Sequence, residues 1–418
     1  MKKQHAWPEG HWNWPVHVSH KHGVRCGEMI WVGGQVDITS EGAVNNPYEL
    51  AIQVTNSIGS FERVLKELRC DLADLVKLLC FYVNDGSVDE GEFLAMVAKA
   101  LPAGSRPAIT AVPVPYLAYP GMIVEIEGYA MRAETGGRLQ RHFASAPGLS
   151  PLPPAFANGL RCGKMIFVSA QTPVDDKGRL VHKGDIVAQT KQVMKQIGAA
   201  LKDFGADFDD VVKLNRWYVG TGTVEDFEPA ALACAAHFNE PGPAATGIPL
   251  PRHAQEGQQL KIEVVAMLGE DGTRLLRCHV WPESLWDWTI HLPYRHGLKC
   301  HDMIFLGGQV SLDKQGNTVD PDNMKAQTRQ AMIHIGTILK ELGADYADVC
   351  KVTTMYEGAS SYDALHDNLL IRSSFFQEPG PATTGVPLPA LAYPGMIIEI
   401  DVFAMAKPDT RREKTPRD

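Results

Sequence analysis

The sequence predicts three tandem α+β modules folded about a pseudo-threefold axis. Three observations predict it. Two fixed shifts superpose the chain on itself: Cys26, Gln35, Gly42 and Lys77 fall onto Cys162, Gln171, Gly178 and Lys213, and again onto Cys300, Gln309, Gly316 and Lys351. Matching text flanks each copy, CGEMIWVGGQ, CGKMIFVSAQ and CHDMIFLGGQ near the start and SRPAITAVPVP, PGPAATGIPLP and PGPATTGVPLP near the end. Within a copy, strand-like and helix-like periodicities alternate. A repeat this long is a whole domain, not a solenoid unit, and 418 residues suit about three domains. The modules are read as 1–135, 136–271 and 272–407. A charged tail, 408–418, is expected to be disordered.

The elements of copy one follow in order. MIWVGGQVDI reads as a strand running into a turn. From Pro47 to Leu68 the apolar residues Ile52, Val54, Ile58, Phe61, Val64, Leu65 and Leu68 keep helical spacing, with Pro47 suited to the first turn. LADLVKLLCFYVND reads as a second strand. Glu90 to Leu101 is a second helix, stopped by Pro102. PAITAVPVP is an edge-type strand, because prolines are tolerated there, and MIVEIEGYAM closes the module. The order β-β-α-β-α-β-β puts both helices on one face of a single sheet. Three sheets around a central barrel would bury the other face, and fusion keeps the partners at high effective concentration. Copies one and three share a Trp-rich lead, HAWPEGHWNWPVHVSHKHG (5–23) and HVWPESLWDWTIHLPYRHG (279–297), which copy two lacks. Such an arm either covers a neighbour or roofs a pocket.

Composition narrows the function classes. A net charge of −9 argues against a nucleic-acid or anionic-membrane binder. No run of apolar residues is long enough to span a bilayer, and no signal-type segment leads the chain, so a cytoplasmic location is expected. Eight cysteines without a CxxC pair read as free thiols in a reducing compartment. The histidines near Cys26 and Cys300 match no strong zinc spacing, and no metal is expected. His17, His22 and their repeats His291 and His296 are read as hydrogen-bonded residues at a strand end. No phosphate-binding or dinucleotide glycine motif occurs, GGQ reads as a tight turn, and no cofactor is expected.

Differences between the copies point to chemistry. Arg106 in SRPA aligns with Gly242 and Gly380. A guanidinium grips a carboxylate through two parallel hydrogen bonds, so Arg106 is either an acid clamp or a solvated loop residue. Glu125 aligns with Lys261 and Glu399. Glu125 and Glu127 share a strand face, as do Glu399 and Asp401. That face is either solvated or meets a pocket in which a carboxyl group moves protons. Before each first hairpin stand His20, Phe156 and Tyr294, of which His and Tyr can hydrogen-bond a ligand.

With these residues the chain resembles the Rid family of reactive-intermediate imine/enamine deaminases, also called YjgF-like or L-PSP. The resemblance rests on MIxxxGQ, the VVK-type strand, the proline-rich strand ending in LP, and EIEGYA, KIEVVA and EIDVFA, in order, three times over. It implies a chorismate-mutase-like fold, a trimer made within one polypeptide, and sites between modules. Carried over by position, Arg106 is the carboxylate-binding arginine and Glu125 and Glu399 are the water-positioning glutamates. Tyr294, replaced by His20 in copy one, is the pocket tyrosine. Ala108 offers a backbone amide, and Gly33 and Gly307 stand where Ser169 matches the family's serine. Copy two lacks these groups together and is read as structural. YLAYPGM (116–122) and LAYPGM (391–396) depart from the family pattern and would reshape the pocket mouth.

The expected function is therefore hydrolytic deamination of a small carboxylated enamine or imine to a 2-oxo acid and ammonia. A single site around Arg106 is expected, completed by Glu125 or Glu399, with the copy-one/copy-three interface favoured. The alternatives are a ligand-binding scaffold without catalysis, and a different hydrolase or deaminase reaction on a larger or aromatic acid in a degradation pathway. Neither nucleic acid nor membrane is an expected partner, and association of pseudo-trimers into a higher oligomer stays open.

Overall fold

The computed structural model describes residues 1–408. The tail expected to be disordered therefore lies, apart from Pro408, outside the described residues. Module one contains β1 (Lys3–Ala6), β2 (Gly23–Cys26), β3 (Met29–Gln35), α1 (Leu50–Glu67), β4 (Leu75–Val83), α2 (Glu90–Ala100), β5 (Ala108–Val114) and β6 (Val124–Met131). Module two repeats this with β7 (Arg141–Phe143), β8 (Gly159–Cys162), β9 (Met165–Gln171), α3 (Ile186–Lys202), β10 (Val211–Val219), α4 (Val224–Ala235), β11 (Ala244–Leu250) and β12 (Leu260–Met267). Module three has β13 (Arg277–Val280), β14 (Gly297–Cys300), β15 (Met303–Leu306), α5 (Met324–Glu341), β16 (Val349–Glu357), α6 (Asp363–Ser373), β17 (Ala382–Leu388) and β18 (Ile398–Met405).

Each module forms one six-stranded sheet, ordered β1-β2-β3-β6-β4-β5 in the first. All pairs are antiparallel except β4 with β5. The proline-bearing β5 lies at the edge, where its missing N–H breaks no ladder. Helix α1 buries Val54, Ile58, Phe61, Val64 and Leu65 on one stripe. It starts at Leu50 rather than Pro47, and Ile52 faces solvent, because residues 47–49 turn to meet the β5–β6 loop: Tyr48 N–H donates to the Gly121 carbonyl at 2.9 Å. Gln53 fastens the same loop, donating to Gly121 O at 2.8 Å, and Gln189 and Gln327 repeat the contact on Gly257 and Gly395.

The second sheet face is buried as the repeat predicts. Eight positions, each present three times, build one central core that includes Met29, Met165 and Met303 and the rings of Tyr129, Phe167, Phe305 and Phe403. Tyr129 lies 5.5 Å from Phe403 and 6.2 Å from Phe167, so side chains from all three sheets meet near the axis. Cys26, Cys162 and Cys300 belong to this core as small apolar groups. The sheets remain separate hydrogen-bonded units. The isolated bridges Ala108–Ala157, Ala244–Arg295 and Lys21–Ala382 tie each to the next. The centre is thus barrel-like, with three seams.

Each seam has the same direction. Strands β5, β11 and β17 lie against β9, β15 and β3, so module one docks on two, two on three, and three on one. A buried lysine of one module reaches an acid on the last strand of the next: Lys77 to Glu263, Lys213 to Asp401 at 2.7 Å, and Lys351 to Glu127 at 2.7 Å. Thr110, Thr246 and Thr384 sit within each bridge, accepting from the lysine. The arrangement is a closed head-to-tail ring, with the third seam formed by the two ends of the chain.

Candidate active site

At the seam between modules three and one, β6 presents Glu125 and α6 presents Arg372 to a shared cavity of ≈ 20 Å³. That volume holds about one water. Gly34 makes the approach possible, because a Cβ there would overlap the Glu125 carboxyl oxygen. Burial, with Glu127 adding like charge, pushes the Glu125 carboxyl up to about 8, so it is mostly neutral at pH 7. The Arg372 guanidinium is held rigidly: Nε and Nη2 donate to Asn368 Oδ1 at 3.0 and 2.8 Å, and Nη1 donates to Thr383 Oγ1 at 2.8 Å. None of these bonds reaches a carboxylate, and burial lowers the guanidinium to about 9. A fully buried cation with donors to spare, sharing a cavity with a neutral acid, is able to receive an anion.

The Trp-rich lead roofs this cavity, and its own hydrogen bonds hold it there. Trp12 and Trp14 line the cavity. Gln35 Oε1 accepts from Trp12 Nε1 at 3.3 Å and lies 2.8 Å from His11 Nε2. His22 Nε2 meets Trp12 O at 3.0 Å, and His296 meets Trp286 O at 2.9 Å. The GGQ glutamines Gln35 and Gln309 are therefore anchors for the arm, and the expected tight turn at 33–35 is corrected: these residues end strand β3 at a register shift. Tyr119, from the 116–122 loop, closes the opposite wall and lies 3.1 Å from His366 Nε2 through its hydroxyl.

The seam between modules two and three repeats the pattern with Glu399, raised to about 8 by burial and Asp401, and with Gly308 packed against its carboxyl. The cation there is Arg216 on β10, which sits 5.0 Å from the Phe227 ring. The seam between modules one and two inverts the charges. Lys261 replaces the glutamate and donates to both oxygens of Glu90, at 2.8 and 2.6 Å, and to Ala111 O at 2.8 Å. Its three donors are spent, beside a cleft of ≈ 520 Å³.

The structure does not bring the expected set together. Arg106 lies at the first seam, its guanidinium 4.5 Å from the Phe143 ring of module two. Glu125 faces module three and Glu399 faces module two. The expectation of one site joining Arg106 to either glutamate is thus corrected, because module one docks on module two, whose last strand carries Lys261. Arg106 also has a left-handed backbone, with φ +44°. Ala108 starts β5 and is buried at that same seam, bridged to Ala157. His20 is buried at the third seam, 5.5 Å from Phe376, and Tyr294 at the second, 6.0 Å from Phe238. Gly33 and Gly307 admit the neighbouring backbone: a Cβ at Gly307 would lie 2.8 Å from Ala245 O, and one at Gly33 would overlap Thr383 O. Arg372 and Arg216 are the residues that sequence reasoning missed. Their repeats are Ala98 and Cys234 for the first, Cys80 and Thr354 for the second. A cation present in one copy only was the signal that could have found them.

The sequence model of the endoribonuclease L-PSP family matches residues 15–132, 151–268 and 289–406. A RutC family protein of Pyrococcus abyssi is 33% identical over 97 residues, covering 23% of this chain and 74% of that protein. A 2-iminobutanoate/2-iminopropanoate deaminase of Capra hircus is 28% identical over 118 residues, covering 28% and 83%. A solved chorismatase structure aligns with 79% of this chain and 93% of its own at a TM-score of 0.51 and 12% identity, a likeness of fold.

Proposed function

This chain belongs to the endoribonuclease L-PSP family, and from that premise we propose that it hydrolyses the C=N bond of a carboxylated imine at the seam of modules three and one. One observation carries the reading: Arg372, buried without a carboxylate partner, shares a cavity with the neutral carboxyl of Glu125. Relatives named as imine deaminases support the reaction class.

In this reading Arg372 holds the substrate carboxylate with the N–H groups that Asn368 and Thr383 leave free. The neutral Glu125 carboxyl gives its proton to the imine nitrogen as water adds to the carbon. Its second oxygen takes the proton that the water loses. In the carbinolamine so formed, the carboxyl protonates the amino group and accepts the hydroxyl proton. The C–N bond breaks, and ammonia and a 2-oxo acid leave with Glu125 neutral again. Proton transfer of this kind contributes about 10²–10⁴-fold. Entry to so small a cavity requires the Trp12–Trp14 arm or the Tyr119 loop to move aside. The first seam, with Lys261 locked to Glu90, carries no such chemistry in this reading and makes module two structural there.

The test is ammonia release from freshly generated 2-iminobutanoate. Glu125→Gln should cut kcat on the order of 10²-fold or more, and Arg372→Met should raise KM. Arg106→Met should keep turnover. Activity lost in Arg106→Met but kept in Arg372→Met would return the site to the first seam. A second reading, hydrolysis of a larger aromatic acid, is favoured by the Trp12, Trp14 and Tyr119 walls. It predicts higher kcat/KM on an imine with an aromatic side chain than on 2-iminobutanoate.

A further inference from the structure

The seam of modules two and three is built like the proposed site, yet its guanidinium comes from a different element. Position 372 on α6 corresponds to Cys234 on α4, and position 354 on β16 corresponds to Arg216 on β10. Gly247 leaves room for the change: a Cβ there would lie 2.8 Å from Arg216 Nη2, and module one has Ala111 at that position.

Unlike Arg372, Arg216 is not tied down by side-chain hydrogen bonds at its Nε, which is buried and has no partner. The Tyr218 hydroxyl is likewise buried and unpartnered, and the buried Tyr294 hydroxyl faces the Arg216 guanidinium and the Cys234 thiol. Arg216, Tyr218 and Tyr294 are more than nine-tenths buried, at 2%, 0% and 3% exposure. Leaving Arg216 Nε and the Tyr218 hydroxyl unsatisfied in one place is costly, and native proteins avoid it unless something else takes the bonds. Aromatic faces surround the cation. Its guanidinium carbon is 5.0 Å from the Phe227 ring and 5.4 Å from Tyr218. Phe227 stacks on Trp288 at 5.5 Å and 16°, and Tyr393 packs 5.8 Å from Phe227. The third seam has Leu365 where Phe227 stands and Thr354 where Arg216 stands.

We propose that this seam is a second, chemically distinct anion site, which binds a carboxylate carried on a flat aromatic or conjugated body. Arg216 and the two tyrosine hydroxyls donate to the carboxylate, and Phe227, Trp288 and Tyr393 flank the body. The site stands independently of the reaction proposed for the third seam. The chain then holds two unequal ligand sites in place of three equal ones.

The test uses trans-cinnamate and full-length protein, with binding followed by calorimetry. Tyr294→Phe deletes one hydroxyl, whose neighbours are Arg216 and Cys234, and keeps the ring packing, so the fold survives. It should weaken cinnamate binding about tenfold, and Arg216→Met should abolish it, while Arg372→Met keeps it. Cinnamate binding equal in wild type, Tyr294→Phe and Arg216→Met overturns the proposal. So does binding lost only in Arg372→Met, or no saturable binding by the wild type. Ammonia release from 2-iminobutanoate, measured separately in Arg216→Met, reports on the third seam, so the two proposals fail independently.

Discussion

At the scale of single residues, Glu125 sets the pH behaviour. Its carboxyl is raised to about 8 in the fold, mainly by burial, against an ordinary value near 4.5. Stability held by the protonated form is therefore fully present below the ordinary value and is lost as pH rises through about 8. Glu125→Gln, which cannot ionise, should lose less stability than wild type between pH 5 and pH 9 in thermal melts. Glu399 contributes in the same sense, so the slope should shrink and not vanish. Activity that uses the neutral carboxyl should fall through the same window, and a pH–rate profile flat to pH 9 would remove Glu125 as the proton carrier. Gly34 is the second lever. An alanine Cβ would occupy the place of the Glu125 carboxyl oxygen, and the carboxyl must swing away. Gly34→Ala should lower kcat about a hundredfold, within the range of a lost acid–base catalyst, with KM nearly unchanged because Arg372 is untouched. The glutamates themselves were legible in the sequence, because the period-two strand and the Glu/Lys/Glu contrast at 125, 261 and 399 single them out. Their cations were not. Comparison of the copies pointed to Arg106 by the same logic that would have found Arg372, and sequence alone does not say which copy faces which.

At the scale of elements, the repeats placed strands and helices well, since each apolar stripe has one sheet to cover. Helix α1 started three residues later than its proline suggested, because loop capture by Gln53 competes with the first turn. Less legible was the purpose of the VVK strand. Lys77, Lys213 and Lys351 served in the sequence only to mark the repeat, yet each is buried in the seam against the next module's acid. Lys351 donates to Glu127, Thr353 and Thr384 at once, at 2.7, 2.6 and 2.9 Å. Removing the lysine leaves Glu127 buried without a counter-charge, a loss of about 3–5 kcal/mol. Lys351→Met should show that loss in urea unfolding, and the double variant Lys351→Met/Glu127→Leu should recover most of it. Equal stabilities for single and double variants would mean that the bridge does not hold the seam. The cyclic order of these bridges also decides the chemistry, since it brings Glu125 to Arg372 and Glu399 to Arg216.

At the scale of the whole molecule, three seams of one kind close the ring, and only two are crossed by the chain. The third, between modules three and one, holds without a linker, through β17 on β3 and the Lys351–Glu127 bridge. The linkers are thus dispensable for contact and act on concentration: a short tether supplies an effective concentration of about millimolar. A protease site inserted in the exposed turn at 134–137 tests this directly. After cleavage, module one still meets module two through Lys77–Glu263 and module three through Lys351–Glu127. The two fragments should co-elute near the 45.8 kDa of the intact chain. The unfolding midpoint of the cut protein should rise with protein concentration, because assembly has become bimolecular, whereas the uncut midpoint stays constant. Ammonia release should survive the cut, since Glu125 and Arg372 meet across the seam that never had a linker. Fragments that separate on elution would show instead that the covalent connection, and not the seams, holds the pseudo-trimer together.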